Sequence, residues 1–357
     1  MRGRKNIRRF LIICVLLSGC GLLVSCLAKS SGEGIKNSSS GKSEKQVALQ
    51  LTPLVARYVS GRHDFMDIAI TSDNELWGVG YDGEDPRRIY YSKDGGSNWE
   101  VKQLSTRGFS LNAITFTDAQ HGWAVGGNGL ILRTTDGGQS WEELQRPTDF
   151  DLTRVRFINP QTGYIAGRNW IKDPNNGTET HHVQILRTDD GGQNWKVCYS
   201  NDEAGEVFQI AVLSETTAVA SIDSSTLIRT EDAGTTWKVV ASGKGDFMSV
   251  SFTPDATGWA VGNKGSFYRS GDQGRTWQKP DNLPANFSKQ NWHSINFADA
   301  MTGIAVGENG AVGVTDNGGA TWSYYDSQIK ENLEKVILRG RTWIVLGSKT
   351  VYKGSTR

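Results

Sequence analysis

Past residue 26 the chain has a single cysteine, Cys198, because the other three (Cys14, Cys20 and Cys26) all fall in the first 26 residues. The folded part therefore has no second thiol for an intramolecular disulfide. Cys198 follows Trp195 in a run, 196–199, that alternates like a strand, which points to a buried structural thiol. Net charge is equally scant: 39 Lys and Arg against 38 Asp and Glu leave +1. No global field draws such a chain to nucleic acid or to an acidic membrane surface, so any charged site has to be local. Histidine is sparse too, and the adjacent pair His181-His182 fails as a metal site. Neighbours on a strand point to opposite sides, and no Cys or third His shares their loop. No metal or other cofactor is expected. Disorder is excluded for most of the 357 residues by a balance of 37% hydrophobic and 22% charged side chains.

What the chain has in excess is Gly and Trp, 42 and 12 residues, and one octapeptide accounts for both. Thr134-Thr135-Asp136-Gly137-Gly138-Gln139-Ser140-Trp141 recurs at 92–99, 188–195, 230–237, 270–277 and 315–322. The copies align Asp94, Asp136, Asp190, Asp232 and Asp272, with Asn317 in the sixth, and end on Trp99, Trp141, Trp195, Trp237, Trp277 and Trp322. Asp and Gly at fixed offsets between apolar runs predict a hairpin turn. The carboxylate accepts backbone N–H groups, Gly supplies positive φ, and Trp anchors the outgoing strand. Used this way, the carboxylate is a structural acceptor and not a catalytic group.

The six Trp positions are separated by 42, 54, 42, 40 and 45 residues. Each interval holds four short strand patterns, among them Gly122-Trp123-Ala124-Val125-Gly126 and Gly258-Trp259-Ala260-Val261-Gly262. That period predicts propeller blades rather than a sandwich. After Trp322, segments 336–338, 342–347 and 350–353 supply three strands of a seventh blade without a box. Its missing outer strand is expected from 47–51 or 54–56, so that the two ends pair and close the ring, leaving no unpaired edges. The expected fold is an all-β, seven-bladed propeller over 47–357.

Ahead of it, five Arg and Lys among residues 2–9 and an apolar run at 10–17 have the layout of a secretory signal. Leu17-Ser18-Gly19-Cys20 and Leu23-Val24-Ser25-Cys26 both resemble the lipobox, so Cys20 and Cys26 are the two candidates for lipidation, and 1–26 is read as a lipoprotein signal peptide. Residues 27–46 are Ser-, Gly- and Lys-rich and cannot bury surface, so they read as a tether reaching on the order of 25 Å.

The box is the Asp-box, or BNR repeat, and the pairing of Gly-Trp-x-Val-Gly with Thr-x-Asp-Gly-Gly-x-x-Trp over about 60–357 resembles the photosystem II stability/assembly factor family. The resemblance implies a non-catalytic, membrane-anchored monomer that binds photosystem II core subunits or their precursors. It also implies the lumenal side of a thylakoid membrane, or the periplasm or cell surface in a non-photosynthetic source. An interaction lipoprotein with an unrelated partner and a sialidase- or xyloglucanase-like hydrolase are the alternatives. Against the hydrolase, no Arg-Ile-Pro precedes a box, and the chain has material for one propeller where xyloglucan hydrolases use two. Asp67, Asp151, Glu206 and Asp246, near inner-strand starts, are the formal candidates for paired carboxylates.

The sequence leaves open which face binds a partner, and the candidate residues lie on the blade face opposite the boxes. The 54-residue interval places an insertion at 168–182 between the second and third strands of blade three, carrying Arg168, Trp170, Lys172, Asp173, His181 and His182. The loop 279–292, ending in Trp292, joins it as a second rim element. Arg133, Arg187, Arg229 and Arg269 each precede a box, with Lys353 in the matching place of blade seven, and are read as a repeated structural part that stacks on Trp or pairs with the next blade.

Overall fold

In the computed structural model, each box closes a hairpin by the same bonds. The structure describes residues 49–54, 64–81, 88–102, 104, 109–172, 177, 179–202, 204–223, 225–340 and 342–356. The expected signal peptide, Cys20, Cys26 and the tether lie outside the described residues. Asp136 accepts the Ser140 N–H at 3.0 Å and the Ser140 hydroxyl at 2.6 Å. Thr134 donates to Asp136 at 2.8 Å and accepts the Gly138 N–H at 2.8 Å, and Gly137 and Gly138 supply φ of 70° and 79°. Asp94, Asp190, Asp232 and Asp272 hold the same pattern. Asn317 holds it without a charge, accepting the Thr321 N–H at 2.9 Å and donating to the Thr321 hydroxyl at 2.7 Å.

Seven antiparallel sheets result, each ordered from an inner to an outer strand. Their inner strands are Asp64–Ile70, Leu111–Phe116, Asp151–Phe157, Val207–Val212, Phe247–Phe252, Trp292–Phe297 and Leu333–Arg339, each packed on the next, with the last returning to the first. Leu49–Leu54 pairs antiparallel with Val351–Thr356 as the outer strand of blade seven, so the ends do close the ring. Blade five departs from the four-strand expectation. Its sheet has three strands, and a single bridge, Arg269 to Gln278, stands in for the fourth. Pro280 follows two residues later, and without an N–H it cannot continue the ladder.

Sheets stack because second strands such as Gly122–Gly126 and Gly303–Gly307 are buried along their whole length. Phe116, Phe157, Phe252 and Phe297, at the ends of inner strands, meet the box Trp of their own blade edge-on at 6.0, 6.0, 5.9 and 6.0 Å. Trp77, Trp123 and Trp259 reach the Phe of the following blade at 5.3, 3.6 and 6.0 Å. A Cβ at Gly138 would overlap the Trp77 indole, and one at Gly319 the Trp259 indole. Glycine in the box thus serves the joint between blades as well as the turn.

Three of the pre-box arginines bridge to the next blade: Arg133 to the Gly191 carbonyl at 3.3 Å, Arg187 to Glu215 at 2.7 Å and Arg229 to Gln273 at 2.9 Å. Arg269 instead sits over the Trp259 ring at 5.8 Å. Cys198 packs at the joint of blades three and four, its Sγ donating to the Ile185 carbonyl at 3.2 Å. Burial pushes that thiol up to about 11.

Hydrogen bonds from the box hold the carboxyls of Asp136 and Asp232 down to about 2, and Asp190 and Asp272 reach about 2 as the same bonds outweigh their desolvation. These groups bind protons more weakly folded than unfolded. Their contribution is therefore complete above pH ~4, the unfolded carboxyl range, and is lost as pH falls toward 2. Replacing all four by Asn should keep the neutral-pH fold, as Asn317 does, and flatten the fall in Tm between those pH values. An unchanged acid slope in thermal melts would contradict this assignment.

Candidate functional site

Each inner strand breaks register once near its start, as between Phe65 and Asp67, Leu152 and Arg154, and Leu333 and Lys335. Such a bulge re-aims the side chains beside it. The channel edge of an inner strand has no further strand to pair with, so its polar backbone needs other partners. The preceding blade supplies them at several joints. Asp67 accepts the Ile114 N–H at 3.1 Å, Ser249 that of Ile295 at 3.3 Å and Ser294 that of Val336 at 3.2 Å. Asn112 donates to the Leu152 carbonyl at 2.9 Å, and Arg154 Nε donates to that of Phe208. Lys335 of blade seven closes this belt by an ion pair with Asp67 of blade one.

Above the belt lies a cavity of about 760 Å³. It opens at the end of the inner strands away from the boxes, and the 2–3 turn of blade seven, 346–351, forms part of its wall. Arg154, Arg156, Arg168, Lys335 and Lys349 line it against Asp67, Asp151, Glu206 and Glu334, with His293 beside them. The carboxylates are mostly spoken for. Glu206 bridges Arg154 at 3.5 Å and Arg168 at 2.7 Å, and Glu334 meets His293 at 3.0 Å. Asp151 accepts the Asn128 N–H at 2.9 Å. Arg156 donates to the Val155 carbonyl at 3.1 Å and has no acidic partner within ion-pair distance among the described residues.

The crowding of cations shows in their titration. Burial lowers Lys335 to about 8, Asp67 opposing this and Arg156 and Arg154 adding to it. Burial likewise lowers Arg154, with Glu206 and Asp67 holding it up and Arg156 and Arg168 pressing it down. His293, 3.0 Å away, holds Glu334 below the usual carboxylate range. A surplus positive charge, sheltered from water, is what an incoming anionic group would neutralise.

The expected rim is partly here. The insertion in blade three is not an irregular loop but an extension of the hairpin Gly163–Lys172 with Glu179–Thr188. Trp170 pairs with His181 in register and packs on it at 5.1 Å. Arg168 links this hairpin to the cavity, holding Glu206 while its guanidinium lies 5.3 Å from the Trp170 ring. Trp170 is 57% exposed, so the indole face is presented to solvent. His182 points elsewhere, its Nδ1 2.7 Å from Asp202. The Lys172 backbone pairs with Glu179, and Asp173 lies outside the described residues.

Trp292 does not belong to the rim. It is fully buried, its Nε1 donating to the Phe287 carbonyl at 3.1 Å beneath the 3₁₀ turn Phe287–Lys289. With Phe267, Phe287 and Trp322 it fills the core at the blade five–six joint, where it anchors the loop 279–292 from inside. Asp246 also lies apart, accepting the Ser225 N–H at 3.2 Å. Sequence reasoning passed over Arg154, Arg156, His293 and Lys335. The available signal was the run Arg154-Val155-Arg156 in an inner strand, with Lys335 at the equivalent post-bulge place in blade seven.

A family model described as photosynthesis system II assembly factor YCF48 matches residues 97–245 and 239–312, together 216 of the 357 residues. The photosystem II assembly lipoprotein Ycf48 of Synechococcus sp. (strain CC9902) is 30% identical over 146 residues, 40% of this chain and 39% of that protein. The alignment thus spans about two fifths of that relative's length. The solved structure of YCF48 bound to D1 peptide superposes with a TM-score of 0.66 at 20% identity, covering 87% of this chain and 97% of the other. Virginiamycin B lyase from Staphylococcus aureus gives 0.62 at 13% identity, covering 87% and 99%. At these identities both superpositions establish the fold.

The Asp67–Lys335 pair makes the cavity testable without a ligand. Asp67 is 5% exposed, so Lys335→Met strands a buried carboxylate and should cost about 3–5 kcal/mol in urea unfolding. Adding Asp67→Asn should recover much of that loss. Equal losses in the single and double variants would show that the two charges are not coupled.

Proposed function

The chain belongs to the photosystem II assembly factor YCF48 family, and from that membership we propose that it is a non-catalytic assembly factor whose cationic channel mouth binds an anionic stretch of a photosystem II precursor, D1 in the first instance. The observation that carries this reading is the family match across residues 97–312. A relative of the same fold has been solved with a D1 peptide bound. Arg156, without an acidic partner among the described residues, and the exposed Trp170 over Arg168 support the cavity as the place. The engaged state of Asp67 and Glu206 supports a binding role over hydrolysis, because carboxylates tied to Lys335, Arg154 and Arg168 are poorly placed to shuttle protons. The protein is exported and held to a membrane by lipid on Cys20 or Cys26, with 1–26 as signal, 27–46 as tether and 47–357 as propeller. The naming of a relative as a lipoprotein supports that anchoring. In a photosynthetic source its place is the thylakoid lumen.

Titration of the mature protein with overlapping D1 peptides tests the reading. At least one peptide should bind, and Arg156→Glu should weaken it by about tenfold or more while Tm changes little. Lys335 keeps its proton at pH 7 and releases it on passing about 8, so affinity should fall as the solution is made alkaline. Lys335→Arg, which stays charged, should remove that fall. Failure of every peptide to bind, or binding indifferent to Arg156→Glu, would sink the proposal.

A further inference from the structure

The repeat provides an internal control for one arginine. Arg133 of blade two and Arg229 of blade four stand at the same position ahead of their boxes, and each faces the residue that follows the box Trp. For Arg133 that residue is Glu142, and for Arg229 it is Lys238. In blade two the group is complete: Arg133 Nε lies 2.7 Å and Nη2 2.6 Å from the Glu142 carboxylate, and Nη1 donates to Gly191. Blade four puts a cation where that carboxylate belongs. Arg229 keeps Nε on the Gln273 carbonyl at 2.9 Å and Nη1 on Glu231 at 2.5 Å. Its Nη2 is buried and has no hydrogen-bond partner among the described residues, in a side chain only 4% exposed.

Next to it is a cavity of about 310 Å³, separate from the channel, walled by Arg229, Lys238, Arg275, Glu231, Val239 and Val240. Glu231 is shared, with Arg275 at 2.7 Å. The Asp232 carboxylate is consumed by its own box, through Thr230 and Thr236. Lys238 has no ion-pair partner among the described residues. A buried donor left unmade is costly, and an oxyanion accepting from a guanidinium with a lysine alongside is the group that satisfies it.

We propose that this joint between blades four and five binds one oxyanion, a carboxylate or a phosphate, held between the Arg229 guanidinium and Lys238. The anion comes either from solution or from an acidic side chain of a partner protein. The site lies on the blade's outer side by the box, so it stands or falls independently of D1 binding at the channel.

The test compares the mature chain with Lys238→Glu, an exposed position where the substitution puts a carboxylate at the register place that Glu142 holds in blade two. Inorganic phosphate and N-acetyl-glutamate amide are titrated at constant ionic strength, read by the ³¹P linewidth and by Tm. For the parent chain, one or both probes should bind and raise Tm. In Lys238→Glu, Tm without added anion should be higher, and affinity for the probe should drop by about tenfold or more. Binding of phosphate identifies a free anion as occupant, and binding of the glutamate probe alone identifies a partner's side chain. Parallel responses in the two proteins, no binding of either probe, or a Lys238→Glu protein less stable than the parent would overturn the proposal.

Discussion

Bending seven sheets into a ring leaves each inner strand with an edge facing the channel, and the polar backbone on that edge has no strand to pair with. The side chain of the preceding blade fills the need, through Asp67, Ser249 and Ser294 as acceptors and Asn112 and Arg154 as donors. Polar residues thereby stand at or beside the bulges, at Asp67, Asn112, Arg154, Ser249 and Ser294. The Lys335–Asp67 pair that closes the belt and the Arg154–Glu206 bridge above it are structural bonds first. Their cationic surplus, concentrated on Arg156, is what turns a structural belt into a site.

The outer parts of the ring depend on a different device. Trp77, Trp123 and Trp259 cross the joints to meet the Phe rings of the following blades, and Gly138 and Gly319 admit Trp77 and Trp259 by having no Cβ. A rigid stack of this kind fixes the channel-mouth side chains without loops having to order on binding, which lowers the entropy lost when a ligand docks. The blade-three hairpin projects from that mouth, and Arg168 ties it to the cavity wall.

Much of this was readable from the amino-acid order because the deciding interactions are local. The box is a turn whose bonds all fall within eight residues, so its copies announce both the hairpins and the blade count. The absent fourth strand after 350–353 pointed to the N-terminal strand that fills it. The channel was not readable for a physical reason. Each inner strand carries a bulge, which shifts the alternation by one residue and hides which side chains face inward. The ring then brings together Arg154, Arg156 and Lys335, about half the chain apart. Trp292 misled because an aromatic residue at the end of a polar loop reads as exposed. The turn at Phe287–Lys289, which folds over its indole, is visible only in three dimensions.

One fold shared by virginiamycin B lyase and YCF48 shows that the propeller decides little about chemistry, and the proposed binding gives the deciding role to the channel mouth. The most direct test of that claim is site-specific photocross-linking in membranes of the source organism. A benzophenone side chain would replace Trp170 at the mouth, with Val101, exposed on the outer strand of blade one, as the comparison. The account predicts cross-links to D1 or its precursor from position 170 and none from 101. Cross-links to D1 from 101 alone, or to no photosystem II subunit from either position, would contradict it.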